Sequence, residues 1–217
     1  MISVATGDDD GRKARRARSR LKIVHAFKDL VREGTVAPSA TDVADKAGVG
    51  LRTVYRCFED MGTLYQELIA VLHDEFQPRT LPDLDTEDRA VRLSLLLANR
   101  TSIFADLESF LLASEAKRHI YKALDDDYSY LLRLERDRLQ AVVNPDNRLP
   151  DEVFEALHGV TSFSFWRRLR VEQGLSKDQA GRVMARAAKS VLATSASPPM
   201  VQSVAREAPP LVQGDPD

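Results

Sequence analysis

Apolar residues recur at helical spacing along most of the chain. Leu21, Val24, Phe27 and Val31 lie three or four positions apart, which is the spacing of one helix face. The segment after residue 80 keeps this periodicity, and no alternating apolar and polar run of useful length indicates a strand. The sequence therefore predicts an all-α protein.

Glycine and serine residues divide the first part of this pattern into short helices. Gly34 is placed to end the first helix, and Ser39 to cap the second, with Asp42 answering it three residues later. Gly48 ends that helix, and a fourth helix is expected from about Met61. The third helix, between them, is expected to bury Leu51, Val54 and Phe58 and to expose Arg52, Thr53, Tyr55 and Arg56.

Two prolines, Pro78 and Pro82, mark a hinge before a second helical region. Helices are expected there over about 86–103, 107–122, 126–143, 150–171 and 176–195. Residues 1–11 and the proline-rich residues 196–217 are predicted to be disordered. The sequence thus predicts two helical domains, one over 12–60 and one over 61–195.

Composition places the 217-residue chain among globular proteins, with 43 % apolar and 29 % charged residues. Its single cysteine, Cys57, cannot form an internal disulfide, and no apolar run approaches the ~18 residues of a membrane span. A cytoplasmic protein is therefore expected. Residues 11–58 carry 12 basic and 4 acidic side chains, which is a net charge of +8. Because the whole chain has a net charge of −2, the remaining residues together carry −10. Such a basic module suggests a polyanionic partner.

The strongest motif is a pair of short helices over residues 39–58, joined at Gly48 by a tight turn. These lengths are typical of a helix-turn-helix, whose second helix enters the major groove of DNA. Arginine can bind a guanine edge with two hydrogen bonds, while threonine and tyrosine hydroxyls suit phosphates. A helical hairpin with a solvated basic face is the alternative explanation of the same pattern.

These residues resemble the TetR (tetracycline-repressor) family of bacterial transcription regulators. The resemblance lies in VREG at 31–34, DVADKAGVG at 42–50, TVYRCF at 53–58 and Leu64-Tyr65. The sequence departs from the family pattern at Gly50, where a serine is usual, at Cys57, where histidine is common, and at Met61, where lysine is common.

The resemblance implies a homodimeric, ligand-responsive regulator, most simply a repressor, that binds a roughly palindromic double-stranded operator. The predicted DNA-binding residues are Ser39, Thr41, Gly50, Leu51, Arg52, Thr53, Tyr55 and Arg56, with Arg15, Arg16 and Arg18 in a basic N-terminal arm.

The family resemblance also implies that 12–60 is a DNA-binding domain and that 61–195 is a helical effector-binding and dimerisation domain, with an effector pocket and a dimer interface. Aromatic residues concentrate there, and they line either a pocket for an apolar or aromatic effector or simply the core. The pocket candidates are Phe104, Phe110, Tyr121, Tyr128, Phe163 and Trp166. The last helices carry small and apolar residues suited to close helix packing, and the predicted interface comprises Leu157, Val160, Val183, Met184, Ala187 and Val191.

The chain shows no nucleophile, phosphate-loop or metal-ligand motif, so no cofactor, metal or enzymatic activity is expected. Three alternatives to a repressor remain: an activator with the same helix-turn-helix, a nucleoid-type DNA binder, and a small-molecule-binding protein or enzyme with a vestigial DNA module.

Overall fold

The computed structural model describes residues 7–76 and 86–194, with side chains from residue 11 onward. All elements within these ranges are helical, which confirms the predicted all-α class. None of the helices in this part of the chain is long and apolar enough to cross a bilayer. The hinge prolines and the predicted disordered tail lie outside the described residues, as do residues 1–6.

Four helices form the N-terminal unit: α1 (Gly7–Arg32), α2 (Ala40–Ala47), α3 (Leu51–Cys57) and α4 (Met61–Phe76). The sequence predicts disorder over residues 1–11, but α1 begins at Gly7, so residues 7–11 belong to this helix. The core of this unit is formed by apolar side chains from all four helices, among them Ile23, Phe27, Val43, Val54, Phe58 and Leu64.

Two predicted core positions in this unit are wrong. Leu21 is 57 % exposed, because the inner face of α1 runs through Ile23 and Val24 instead. Leu51 is 41 % exposed at the start of α3, where the helix has not yet reached the core, and Cys57 takes an inward position near its end.

The second region contains α5 (Arg89–Lys117), α6 (Lys122–Val143), α7 (Asp151–Val160), α8 (Phe163–Arg167) with a π-helical turn over Arg168–Glu172, and α9 (Lys177–Thr194). The sequence predicts a break near residue 105, but α5 is continuous because it contains neither glycine nor proline. The predicted single helix over 150–171 instead ends at Val160. There the Thr161 hydroxyl donates to the Leu157 carbonyl, and the Ser162 hydroxyl caps α8 by accepting from Phe165 N.

A buried ionic cluster joins three elements of this region. The Arg100 guanidinium of α5, only 5 % exposed, donates to the Thr161 carbonyl (3.1 Å) and hydroxyl (3.0 Å) and to the Glu135 backbone carbonyl of α6 (2.7 Å). Burial raises the pKa of the Glu135 carboxyl to about 7, although the charges of Arg100 and Arg138 oppose that shift. This cluster fixes α5 and α6 against the start of α8.

Candidate nucleic-acid interface

The start of α2 is fixed by a reciprocal cap. The Ser39 hydroxyl accepts from Asp42 N (3.2 Å), and the Asp42 carboxylate accepts from Ser39 N (2.8 Å) and from the Ser39 hydroxyl (2.7 Å). The hydrogen bond from the Ser39 hydroxyl, and to a smaller extent the one from Ser39 N, lowers the pKa of the Asp42 carboxyl. The capping box predicted from the sequence is confirmed, and Ser39 and Thr41 lie exposed on the first turn of α2.

The turn between α2 and α3 depends on Gly48. Its backbone is left-handed (φ 63°, ψ 40°), a conformation that favours glycine, and its N–H donates to the carbonyls of Ala44 and Asp45. The N–H of Val49 also donates to the Ala44 carbonyl at 3.0 Å. These bonds end α2, and only three residues separate it from the start of α3.

Helix α3 divides its side chains between the core and the solvent. Val54 and Cys57 are buried, while Arg52, Tyr55 and Arg56 are exposed and Thr53 is half-buried. The guanidinium groups of Arg52 and Arg56 make no hydrogen bond or ion pair with any residue that the structure describes. Two uncommitted guanidinium groups one helical turn apart are well suited to bind base edges or phosphates.

Gly50 precedes α3 as its N-cap and provides no side-chain hydrogen bond. The first turn is closed instead by the backbone, where Thr53 N donates to the Gly50 carbonyl at 2.7 Å. Gly50 and Leu51 therefore offer backbone and apolar surface, and not a hydroxyl, to a ligand of this helix.

Two arginines of α1 hold the carboxyl end of α3. Arg20 Nη1 donates to the Cys57 carbonyl (2.6 Å), Nη2 donates to Glu67 Oε1 of α4 (2.7 Å), and the guanidinium lies 4.4 Å from the centre of the Phe58 ring. This contact holds the pKa of the Glu67 carboxyl below its usual value. Arg16 Nη2 donates to the Arg56 carbonyl at 3.2 Å.

Arg20 is not among the predicted site residues, although its spacing in the sequence indicates that it faces the inside of α1. It precedes the core residues Ile23 and Val24 by three and four positions, so it lies on the inner stripe of α1. The structure places the guanidinium of Arg16, a predicted DNA contact, on the backbone of α3.

The predicted N-terminal arm is the continuation of α1 and not an extended segment. Arg15 and Arg18 are exposed on it, and Arg15 Nε donates to the Gly11 carbonyl at 3.1 Å, within the same helix. A helical arm presents its charges at fixed spacing beside α3, because Arg16 and Arg20 hold the two helices together.

The predicted pocket residues separate into four environments. Phe104, Phe163 and Trp166 pack on one another, with ring centres 5.4–6.0 Å apart, in a core between α5, α8 and α9. Phe110 lines a cavity of about 340 Å³ between α4, α5 and α6. Of the other two candidates, Tyr121 packs on Tyr65 at 4.9 Å, and the Tyr128 ring lies under the Arg118 guanidinium at 4.3 Å.

The predicted interface residues also divide between the interior and the surface. Leu157 and Met184 are fully buried within the chain's own core, so their side chains offer no surface to a partner. Val160, Ala187 and Val191 are half-buried and Val183 is exposed. Sequence periodicity cannot separate the two sides of α9, because apolar residues occur on both.

Solved structures of other proteins share this arrangement of helices. A TetR transcription regulator from Haloarcula marismortui superposes with a TM-score of 0.63 and 19 % identity, over 82 % of this chain and 98 % of that one. A proposed TetR-family transcriptional regulator from Mesorhizobium loti gives 0.55 and 20 % identity, over 83 % and 98 %. The chain has the TetR fold. No protein-family model and no curated protein matches the sequence significantly. Both superpositions cover more than four-fifths of this chain.

Proposed function

We propose that the protein is a homodimeric, sequence-specific transcriptional regulator that binds duplex DNA in the cytoplasm, and that it acts as a repressor released by a small effector. The observation that supports this most is the outward face of α3. Arg52 and Arg56 are exposed and without partners among the described residues, on a helix whose other face is buried and whose carboxyl end is held by Arg20. A rigid helix with free guanidinium groups is suited to reading a groove.

In the proposed complex α3 enters the major groove. Arg52 or Arg56 binds a guanine edge, and the hydroxyls of Thr53 and Tyr55 contact phosphates or thymine. The exposed first turn of α2, with Ser39, lies next to the turn and suits a flanking phosphate. The basic face of α1 adds further phosphate contacts, which provide affinity without sequence preference.

A two-fold dimer gives this short helix a second half-site. The two copies of α3 would then lie about 34 Å apart, and the operator would be an inverted repeat. The surface proposed for the interface joins α7 and α9. Ala156 and Gly159 are exposed on α7 beside the half-buried Val160, and Val183 and Ala187 lie on the outer side of α9. Small side chains at this face allow close approach of partner helices.

Release by an effector requires a large difference in affinity between two states of the dimer. To change a 1:99 population into 99:1, the effector must favour the released state by about 5.5 kcal/mol. The cavity between α4, α5 and α6 is the proposed site, since α4 also packs in the core of the DNA-binding unit and connects the two regions.

The test replaces the two guanidinium groups in turn. Arg52→Ala or Arg56→Ala should weaken binding to a selected operator by ~1–3 kcal/mol and relax the preference for one base in each half-site. Arg133→Ala, an exposed arginine of α6, is the matched control and should leave binding unchanged. If both α3 variants weaken all sequences equally, the two residues contact only phosphates and direct readout is refuted.

A further inference from the structure

The cavity between α4, α5 and α6 has an apolar body and a charged group at each end. Its volume is about 340 Å³, within the range of small-molecule sites. One face of α6 contributes Asp127, Leu131, Leu134 and Arg138, which follow each other every three or four residues. The acidic and the basic end are therefore separated by about 16 Å along α6.

The acidic end has a partner within the protein. Asp127 Oδ1 lies 2.8 Å from His73 Nε2, which is an ion-pair distance when the imidazole is protonated. Asp74 also lines this end, but it is exposed and therefore hydrated. A ligand cation at this end would have to compete with His73 for Asp127.

The basic end has no such partner. Arg138 is half-buried and lines the cavity, yet its guanidinium makes no hydrogen bond or ion pair with any residue in the described ranges. Glu135 lies three positions earlier on α6, a spacing that allows an ion pair, but it lines a separate, smaller cavity and forms none with Arg138. The guanidinium donors of Arg138 therefore remain available to a ligand.

A second guanidinium group makes this end more positive. Arg100, which is buried on α5, donates only to uncharged oxygen atoms, namely the Thr161 carbonyl and hydroxyl and the Glu135 backbone carbonyl. Burial lowers the pKa of Arg100 and the charge of Arg138 lowers it further, while Glu135 opposes both. Two guanidinium groups thus lie near one carboxyl, and neither of them forms an ion pair with a described residue. An anion at Arg138 would supply the missing charge.

We propose that this cavity binds a lipophilic carboxylate, with the carboxylate group on Arg138 and the apolar body between α5 and α6. The planar guanidinium can bind a carboxylate through two parallel hydrogen bonds. Ile103 and Leu107 of α5, with Leu131 and Leu134 of α6, provide apolar lining for the body of the ligand. This inference rests on the proposed function for its regulatory meaning, because the carboxylate would be the effector.

The test compares three probes that share a ten-carbon chain: decanoate, decan-1-ol and decylamine. Calorimetric titration of the DNA-free full chain at neutral pH, below the concentrations at which the probes aggregate, measures each affinity. Decanoate should bind most tightly. Added salt should weaken the binding of decanoate more than that of decanol, because only the carboxylate binds through its charge.

Variants of α6 test whether Arg138 provides this preference. Arg138→Gln should weaken decanoate binding by about ten-fold or more and leave decanol binding unchanged, because it removes the charge and keeps the apolar cavity. Arg138→Lys should retain part of the decanoate affinity, since it keeps the charge without the planar fork. Arg133→Gln, at an exposed arginine of the same helix outside the cavity lining, is the matched control and should change neither affinity.

Three results would overturn the inference: decanol or decylamine binding at least as tightly as decanoate, an Arg138→Gln variant whose decanoate affinity falls no more than its decanol affinity, or an equal loss of decanoate binding in Arg133→Gln. Operator binding is measured on the same preparations. A protein that binds operator without binding decanoate refutes this inference alone, and a protein that binds decanoate without binding any DNA refutes the proposed function alone.

Discussion

The contact between Arg20 and the carboxyl end of α3 predicts how strongly α1 holds α3 in place. Arg20→Ala removes one hydrogen bond to the Cys57 carbonyl, one to Glu67 and a contact with the Phe58 ring. Charge-assisted bonds contribute up to about 1.5–3 kcal/mol when buried. Arg20 is 33 % and Glu67 42 % exposed, so solvent screening lowers the expected total loss to roughly 1–2 kcal/mol.

Thermal unfolding and operator binding measure this loss separately. For a chain of this length the melting temperature should fall by about 2–8 °C. Operator affinity should fall by up to about thirty-fold, because binding must then order the end of α3. Arg20→Lys should recover only part of the stability, since it lacks the planar fork. Lys22→Ala, an exposed neighbour on α1, is the stability control and should leave the melting temperature unchanged.

Removing Glu67 separates positioning from direct contact with DNA. Glu67→Ala breaks the same arrangement but takes away a negative charge, so a purely electrostatic effect would strengthen DNA binding. Positioning by Arg20 predicts weaker operator binding for Glu67→Ala as well. An Arg20→Ala protein that melts and binds operator like the parent would refute the reasoning, as would tighter binding by Glu67→Ala.

Three further predictions concern assembly, the basic face of α1 and pH. Ala187→Arg should give a helical monomer by light scattering that has lost most operator affinity, whereas Ala193→Arg, about 120° round the same helix, should stay dimeric. Replacing both Arg15 and Arg18 by alanine should make the slope of log K against log salt shallower by ~0.9 for each lost phosphate contact. Since the pKa of Glu135 is raised from 4.5 to about 7, its folded form retains a proton that the unfolded chain loses. The free energy of unfolding should therefore fall between those pH values, and Glu135→Gln should remove up to about 3 kcal/mol of that fall.

Each of these predictions has an outcome that contradicts it. A dimeric Ala187→Arg variant would place the interface elsewhere, and an unchanged salt slope would show that the α1 charges are only solvated. For Glu135, chemical denaturation from pH 4.5 to 8 is compared between parent and variant, because other groups such as His158 titrate equally in both. Parallel stability curves would show that the Glu135 carboxyl does not retain its proton.

The helix-turn-helix could be predicted from the sequence because its determinants are local. The capping box at Ser39 and the left-handed Gly48 act within three or four residues, so the printed order of residues reveals them. Helical periodicity correctly predicts that Val54 is buried. The same prediction is wrong for Leu51, because periodicity does not show where the core ends.

The second region could be predicted only coarsely because its determinants are contacts between distant segments. Met184 and Val183 are adjacent apolar residues on α9, yet one is buried and the other exposed, depending on where α5 and α7 pack. Likewise His73 lies 54 residues before Asp127, and no spacing rule brings the two together. The aromatic residues between α5 and α8 pack on one another, which their abundance alone could not distinguish from the lining of a pocket.

Selection of binding sites from random duplex DNA by the full chain tests the central claim most directly. The account predicts enrichment of an inverted repeat whose half-site centres lie about 34 Å apart, and loss of that enrichment in Arg52→Ala,Arg56→Ala. Recovery of no motif, with binding that depends only on salt, would contradict a sequence-specific regulator. Equal enrichment by the double variant would show that α3 is not the element that reads the DNA.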